Sequence, residues 1–196
     1  MELIKAKDIA LGVWNKLKPH CDIIKIAGSI RREKPEVGDI EIVALPKTIN
    51  DYTLFGDPIK KRIAGWRDEV YGLGKVIKGS AWGKYIQVHL SEHDIDVDIF
   101  MPDDFDYWRQ LAIRTGSADW TGRFIAGGWR KLGWCGSDVG LRLQSQCEGK
   151  EGPDKKIHWK CIAPVSQQTL PPHWESEQEF FDWLGLKWIE PKFRNI

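Results

Sequence analysis

Apolar positions change their period several times along the chain. Ile9, Val13, Trp14 and Leu17 recur at helical spacing and predict a helix over residues 5–18, which Pro19 stops. Residues 22–27 (DIIKIA) form a short apolar run read as a strand, and residues 38–45 (GDIEIVAL) form a second that Pro46 ends. A polar connection and a helix near 58–70 follow. Residues 74–79 and 84–90 read as two strands around KGSAWGK. Residues 93–101 (HDIDVDIFM) alternate strictly, as a strand with unlike faces does. Beyond Pro102 the pattern turns helical over 104–114 and 118–132, joined by TGS. Residues 133–170 predict short strands and loops, and residues 176–184 a helix opened by the Ser176/Glu179 capping box. The change of character places a boundary between two units near 102–106.

The chain has 196 residues, 42% of them hydrophobic, and a net charge of +1. That supports one good core or two small ones. No apolar run approaches the roughly 20 residues of a membrane span. The amphipathic start, MELIKAKDIALGVWNKL, has no signal-peptide h-region. A cytoplasmic protein is expected, with no membrane partner and its four cysteines as reduced thiols. The near-neutral balance means that any grip on nucleic acid rests on a local basic surface. Eleven tryptophans are assigned chiefly to packing, Trp129 and Trp134 among them.

Two acids interrupt the second strand. Asp39 and Glu41 are two residues apart, so both leave the same face, and like charges so placed need a counter-charge. Asp94, Asp96 and Asp98 share a face of the later strand. Were the two strands neighbours, Asp39, Glu41 and Asp98 would cluster as an oxygen site for divalent cations. Alternating acids on a strand are also the pattern of a solvated face. The preceding turn favours the site. Gly28 lets backbone approach a phosphate, Ser29 offers a hydroxyl and an N–H, and Arg32 is a fork for phosphate oxygens. Gly38 adds a backbone N–H beside the acids. Phosphate binders next to metal-binding acids describe a nucleoside triphosphate site.

GSIRREKPEVGDIEIV (28–43), with a later strand acid, resembles the nucleotidyltransferase superfamily and, more closely, the family X DNA polymerases of the polymerase-β-like group. TGSADW (115–120) resembles that family's TGS motif, seventeen residues after Asp98, and ESEQEFFDWLGLKWIEPKFRN resembles its last helix and "EP…R" tail. The resemblance implies an α+β fold: a palm (1–102) with a mixed β-sheet and flanking helices, then a smaller α/β thumb (103–196). The family's lyase domain and fingers have no counterpart, as in minimal viral members. A viral or bacterial source is implied, with action in the host cytoplasm if viral.

The implied activity is DNA-directed DNA synthesis by a monomer, adding dNMP from dNTP to a primer 3′-hydroxyl and filling short gaps in repair. Asp39, Glu41 and Asp98 would be the catalytic acids and hold two Mg²⁺ ions, with Mn²⁺ a substitute. Gly28, Ser29, Arg32, Gly38, a strained Gly116-Ser117 turn, Asp119, Trp120 and Thr121 would bind nucleotide. Lys78, Lys84 and Arg123 would contact DNA. The chain departs from the family at Glu41 (usually aspartate), at Ile113-Arg114 (usually an aromatic pair), at Asp96 (often arginine) and at Thr121 (often asparagine). Other acceptors stay open: template-independent DNA ends, RNA, a protein side chain or a small molecule. So does a non-catalytic DNA-end-binding module. Cys135, Cys147, His158 and Cys161 are zinc-ligand types without a tight C-x₂-C pair, and both a zinc site and plain core cysteines stay open. The strip at 150–160 (KEGPDKKIHWK) reads equally as a DNA contact or a solvated hairpin. His20, His89, His93 and His173 read as bystanders.

Overall fold

A computed structural model describes every residue except Asp154. Helix α1 (Leu3–Leu17) buries Ala6, Ala10, Val13 and Leu17 along one stripe. Strand β1 (Cys21–Ile26) leads into the single-turn helix α2 (Gly28–Arg31), and β2 (Asp39–Pro46) carries the paired acids. A hairpin, β3 (Thr48–Tyr52) and β4 (Pro58–Arg62), stands apart from the main sheet. Helix α3 (Ala64–Gly72) precedes β5 (Lys75–Gly79), β6 (Tyr85–Leu90) and β7 (Ile95–Phe100). The main sheet is mixed, in the order β1-β2-β7-β6-β5, with β2 and β7 parallel and its other pairs antiparallel.

The helix expected near 58–70 is half strand. Thr53 Oγ1 accepts hydrogen bonds from the N–H groups of Phe55 and Asp57, which closes a tight turn. Thr48 to Tyr52 then pair with Arg62 to Pro58, and the helix begins only at Ala64. Pro58, without an N–H, starts the returning strand, where no donor is missed. The strand expected over 93–101 is shorter. Asp94 lies in the turn before it with φ 49°, outside the face shared by Asp96 and Asp98.

After Pro102 come α4 (Tyr107–Thr115), the short α5 (Ala118–Trp120), a π-helical turn (Thr121–Ala126) and α6 (Gly127–Lys131). The helix expected over 118–132 is present, unbroken from Ala118 to Lys131, with the π-helical turn in its middle. A second sheet has the order β10-β11-β8-β9, from β8 (Trp134–Ser137), β9 (Gly140–Leu143), β10 (Cys147–Glu151) and β11 (Ile157–Cys161). Helix α7 (Glu177–Trp183) closes this half, with Ser176 Oγ accepting from the Glu179 N–H as the capping box foretells. The protein is α+β.

Two cores form. One joins α1 to the buried face of the first sheet through Ile40, Ile42, Val97 and Ile99. The other gathers Trp120, Trp129, Trp174, Phe180 and Phe181. Most tryptophans therefore pack, Trp129 and Trp134 included. A smaller cluster bridges them, where Tyr107 and Leu111 of α4 cover Ala27 and Val43 on the other sheet face. No helix among the described residues is long and apolar enough to cross a membrane.

One carboxylate ties the two halves. Glu177 is 5% exposed and takes two hydrogen bonds from Arg31 (3.0 and 2.9 Å) and two from Arg194 (2.7 and 3.0 Å). Trp188 Nε1 adds a fifth at 3.0 Å. Burial alone would raise the Glu177 carboxyl, but the hydrogen bonds from Arg194 and Arg31 outweigh it and bring it down to about 2. A group depressed on folding contributes stability above its unfolded pKa and loses it as pH falls through the folded one. Stability should therefore fall from about pH 4.5 down to about 2, by on the order of 3 kcal/mol from this group. Chemical denaturation across that window measures it, and Glu177→Gln should flatten the slope. At neutral pH Glu177→Ala, which leaves the buried Arg194 guanidinium without its partner and frees the half-buried Arg31, should cost about 3–5 kcal/mol.

Candidate functional site

Parallel pairing of β2 and β7 sets Asp39 opposite Asp96 and Glu41 opposite Asp98. Three strand acids named from the sequence thus meet on adjacent strands, at the open end of the face that α4 covers further along. Gly28 has φ 61°, a conformation natural to glycine. A Cβ there would stand 2.1 Å from Glu41 Oε2, so the Glu41 carboxylate lies directly against the turn. Asp98 Oδ1 accepts a 2.6 Å hydrogen bond from the Tyr85 hydroxyl.

The acids carry their charge at a cost. Burial and then the neighbouring Asp39 push the Glu41 carboxyl up to about 7, against the pull of Arg114 and Arg32. Burial and then Asp98 raise Asp39 as well. Two guanidiniums face them. Arg32 donates to the Thr115 carbonyl at 2.6 Å, and its Nε is buried with no partner. Arg114 lies over the Phe100 ring at 3.8 Å, and its Nε is likewise buried and unpartnered. Neither makes a salt bridge with the acids, so the repulsion is only partly relieved. Among the described residues no three His, Cys, Asp or Glu side chains close up into a ready metal cage. The donor set itself is all carboxylate oxygen, the chemistry of a hard divalent cation, and the mutual repulsion is what such a cation would relieve.

The other expected contacts divide. Ser29 Oγ is buried without a partner beside Glu41's turn, and Gly38 is exposed with open space where a side chain would be. Gly116 is not a strained turn: its φ of −69° is ordinary. It is glycine because a Cβ would lie 2.5 Å from Trp120 and Thr121. Ser117 Oγ caps α5 by accepting from the Trp120 N–H, and Thr121 Oγ1 donates to the Ile113 carbonyl. Trp120 is 2% exposed in the second core and presents no surface to a nucleotide, so its expected contact is replaced by packing. Asp119 and Arg123 are exposed. Lys84 pairs with Asp103 at 3.1 Å, and exposed Lys78 stands over the Tyr85 ring. A cleft of about 550 Å³ opens between the halves, lined by Glu41, Asp98, Lys84 and Arg114 from the site and by Arg109 and Asp138.

Sequence reasoning missed Tyr85 and His89. His89 Nδ1 lies 2.8 Å from Asp96 Oδ1. Both were hidden because only the register β6 takes on β7 reveals their partners. Cys147 and Cys161 oppose each other across β10 and β11, and all four cysteines are free thiols. The basic strip at 150–160 forms most of that hairpin, except at Asp154, which lies outside the described residues.

Neither a protein-family model nor a curated protein matches the chain.

Gly28→Ala should cost about 1–3 kcal/mol by forcing a side chain into a left-handed position, and it should also push the Glu41 carboxylate away from the turn. Denaturant unfolding measures the first effect. Gly38→Ala, in open space, should be nearly neutral to folding.

Proposed function

We propose that the chain is a DNA-directed DNA polymerase of the family X type, with residues 1–102 as palm and 103–196 as thumb, acting on gapped or primed DNA. One observation carries this reading: parallel β2 and β7 bring Glu41 beside Asp98, with the Gly28-Ser29 turn packed onto Glu41. Carboxylates for divalent ions and donors for a triphosphate then lie side by side at one end of β2, where Glu41 and Asp98 line the cleft.

Asp39, Glu41 and Asp98 would hold two Mg²⁺ ions, which when bound supply charge stabilisation to the entering and leaving oxygens of an in-line displacement. Ser29 Oγ, the Arg32 guanidinium and the Gly38 N–H would orient the β- and γ-phosphates. Ser29 Oγ and Arg32 Nε have no hydrogen-bond partner among the described residues, so the fold leaves both groups unused beside Glu41. Asp98 would stand nearest the primer 3′-hydroxyl. Tyr85, by holding Asp98 Oδ1, fixes the direction of that carboxylate. The 3′-oxygen forms its bond to the α-phosphorus as the bond to pyrophosphate breaks. The chain's own work is positioning and charge placement, as phosphoryl transfer requires. Lys78 and Lys84, at either end of the β5–β6 turn, suit phosphates of the template strand.

Primer extension on one-nucleotide-gapped DNA tests this, with each dNTP offered singly. Incorporation should follow the template base and require Mg²⁺ or Mn²⁺. Asp98→Ala should lower it by about three orders of magnitude, ~4 kcal/mol in the barrier. No incorporation with either metal from folded protein would overturn the reading. Binding to gapped DNA should weaken log-linearly with salt as phosphates release counterions.

A further inference from the structure

The catalytic cleft does not end at the acids. It shares Pro102 and Asp103 with a second cavity of about 740 Å³, which in turn shares Asp22 and Ile23 with a third of about 520 Å³. The three cavities follow one another along the ends of β2 and β7 and out to the edge strand β1, and the shared residues make them neighbours in one trough-like series. Its floor is apolar in the middle, at Ile23, Leu45, Pro46 and Phe105. Trp82 stands on its wall, 44% exposed at the β5–β6 turn. Arg62 fixes that turn from the β3–β4 hairpin by donating to the Ala81 and Gly83 carbonyls at 2.8 and 2.6 Å.

The trough's charge is basic in a chain that is nearly neutral. Lys60, Lys61 and Arg62 line the middle cavity, and Lys18, Lys25 and Lys47 the outer one. Three carboxylates oppose these six: Asp22, Asp103 and Asp104. Asp103 is already paired with Lys84, and Lys61 with Asp51 at 3.4 Å, so five cations face two carboxylates without those pairs. A second aromatic, Trp14, lies in the outer cavity with the Lys18 ammonium 4.4 Å from its ring centre.

We infer that this trough carries the single-stranded template beyond the catalytic cleft. This rests on the polymerase reading of the cleft. A duplex shields its bases and meets a protein through its backbone, so it has no use for an apolar floor. Unpaired bases do: they stack on aromatic and apolar surface while lysines follow the phosphates. Trp82 and the floor around Leu45 take the first bases past the site, and the lysine–tryptophan end near β1 takes the later ones. The β3–β4 hairpin is then the outer wall of a strand channel, held against the Trp82 turn by Arg62.

Fluorescence anisotropy with labelled primer–template DNA tests it. The single-stranded template extension is set at one, about five or about ten nucleotides, within the footprint usual for such grooves. Affinity should rise about tenfold from the shortest to the longest. Trp82→Ala/Lys60→Glu should remove the gain at about five and ten nucleotides. Lys25→Glu/Lys47→Glu should remove only the last step. Both variants should melt as the parent does, and incorporate dNMP on the shortest substrate at the parent rate. The inference falls if the parent binds all three equally, if a double-stranded extension gives the same gain, or if both folded variants keep the gain. Length-dependent, variant-sensitive binding without incorporation would leave the channel standing and sink the polymerase reading. Incorporation without length dependence would do the reverse.

Discussion

Glu177 holds the molecule together at its most demanding point. A carboxylate so deeply buried survives as an anion because two guanidinium forks and an indole N–H satisfy its oxygens. Arg31 comes from the turn after β1, and Arg194 from the last residues of the chain. The same Arg31 also donates to Thr115 Oγ1 at 2.7 Å, and the Arg194 carbonyl accepts from the Ser117 N–H at 2.9 Å. One charge cluster thus positions α2, the end of α4, the Gly116-Ser117 turn and the C-terminal tail. Of these, α4 lines the cleft through Arg109, Gln110 and Arg114, so one wall is anchored by an interaction outside it.

The cleft shows the opposite electrostatic habit. At Glu177 cations match the anion closely; at Glu41 and Asp39 burial and repulsion prevail, and both carboxyls are raised. Arg32 and Arg114 stand near enough to lower the cost without forming ion pairs. Stability has been put at the joint, and unsatisfied charge at the site. That division is the one expected where a bound ligand, rather than the fold, supplies the missing partner.

Much of this was legible in the residues themselves. Strict alternation placed Asp96 and Asp98 on one face, and the Ser176/Glu179 pair marked the start of α7, because both signals depend on near neighbours. What stayed hidden depends on distant ones. No local pattern says that β7 lies beside β2, that Tyr85 reaches Asp98, or that Gly116 is glycine to clear Trp120 rather than to bend the chain. Residues 58–62 misled for a related reason: their composition suits a helix, and only pairing with Thr48–Tyr52 makes them a strand. Trp120 misled by adjacency, since it neighbours the TGS turn in the chain while its ring belongs to the second core.

The position of β7 has a further consequence for the order of events during synthesis. It is the central strand of its sheet, yet the last of the five to be made. Asp98 reaches Glu41 only once β7 has paired with β2. A nascent chain halted before Ile95 holds Asp39 and Glu41 without Asp96 or Asp98, and it lacks the strand at the middle of the sheet. An assembled set of strand carboxylates is therefore a mark of a completed sheet, absent from every earlier stage of the growing chain.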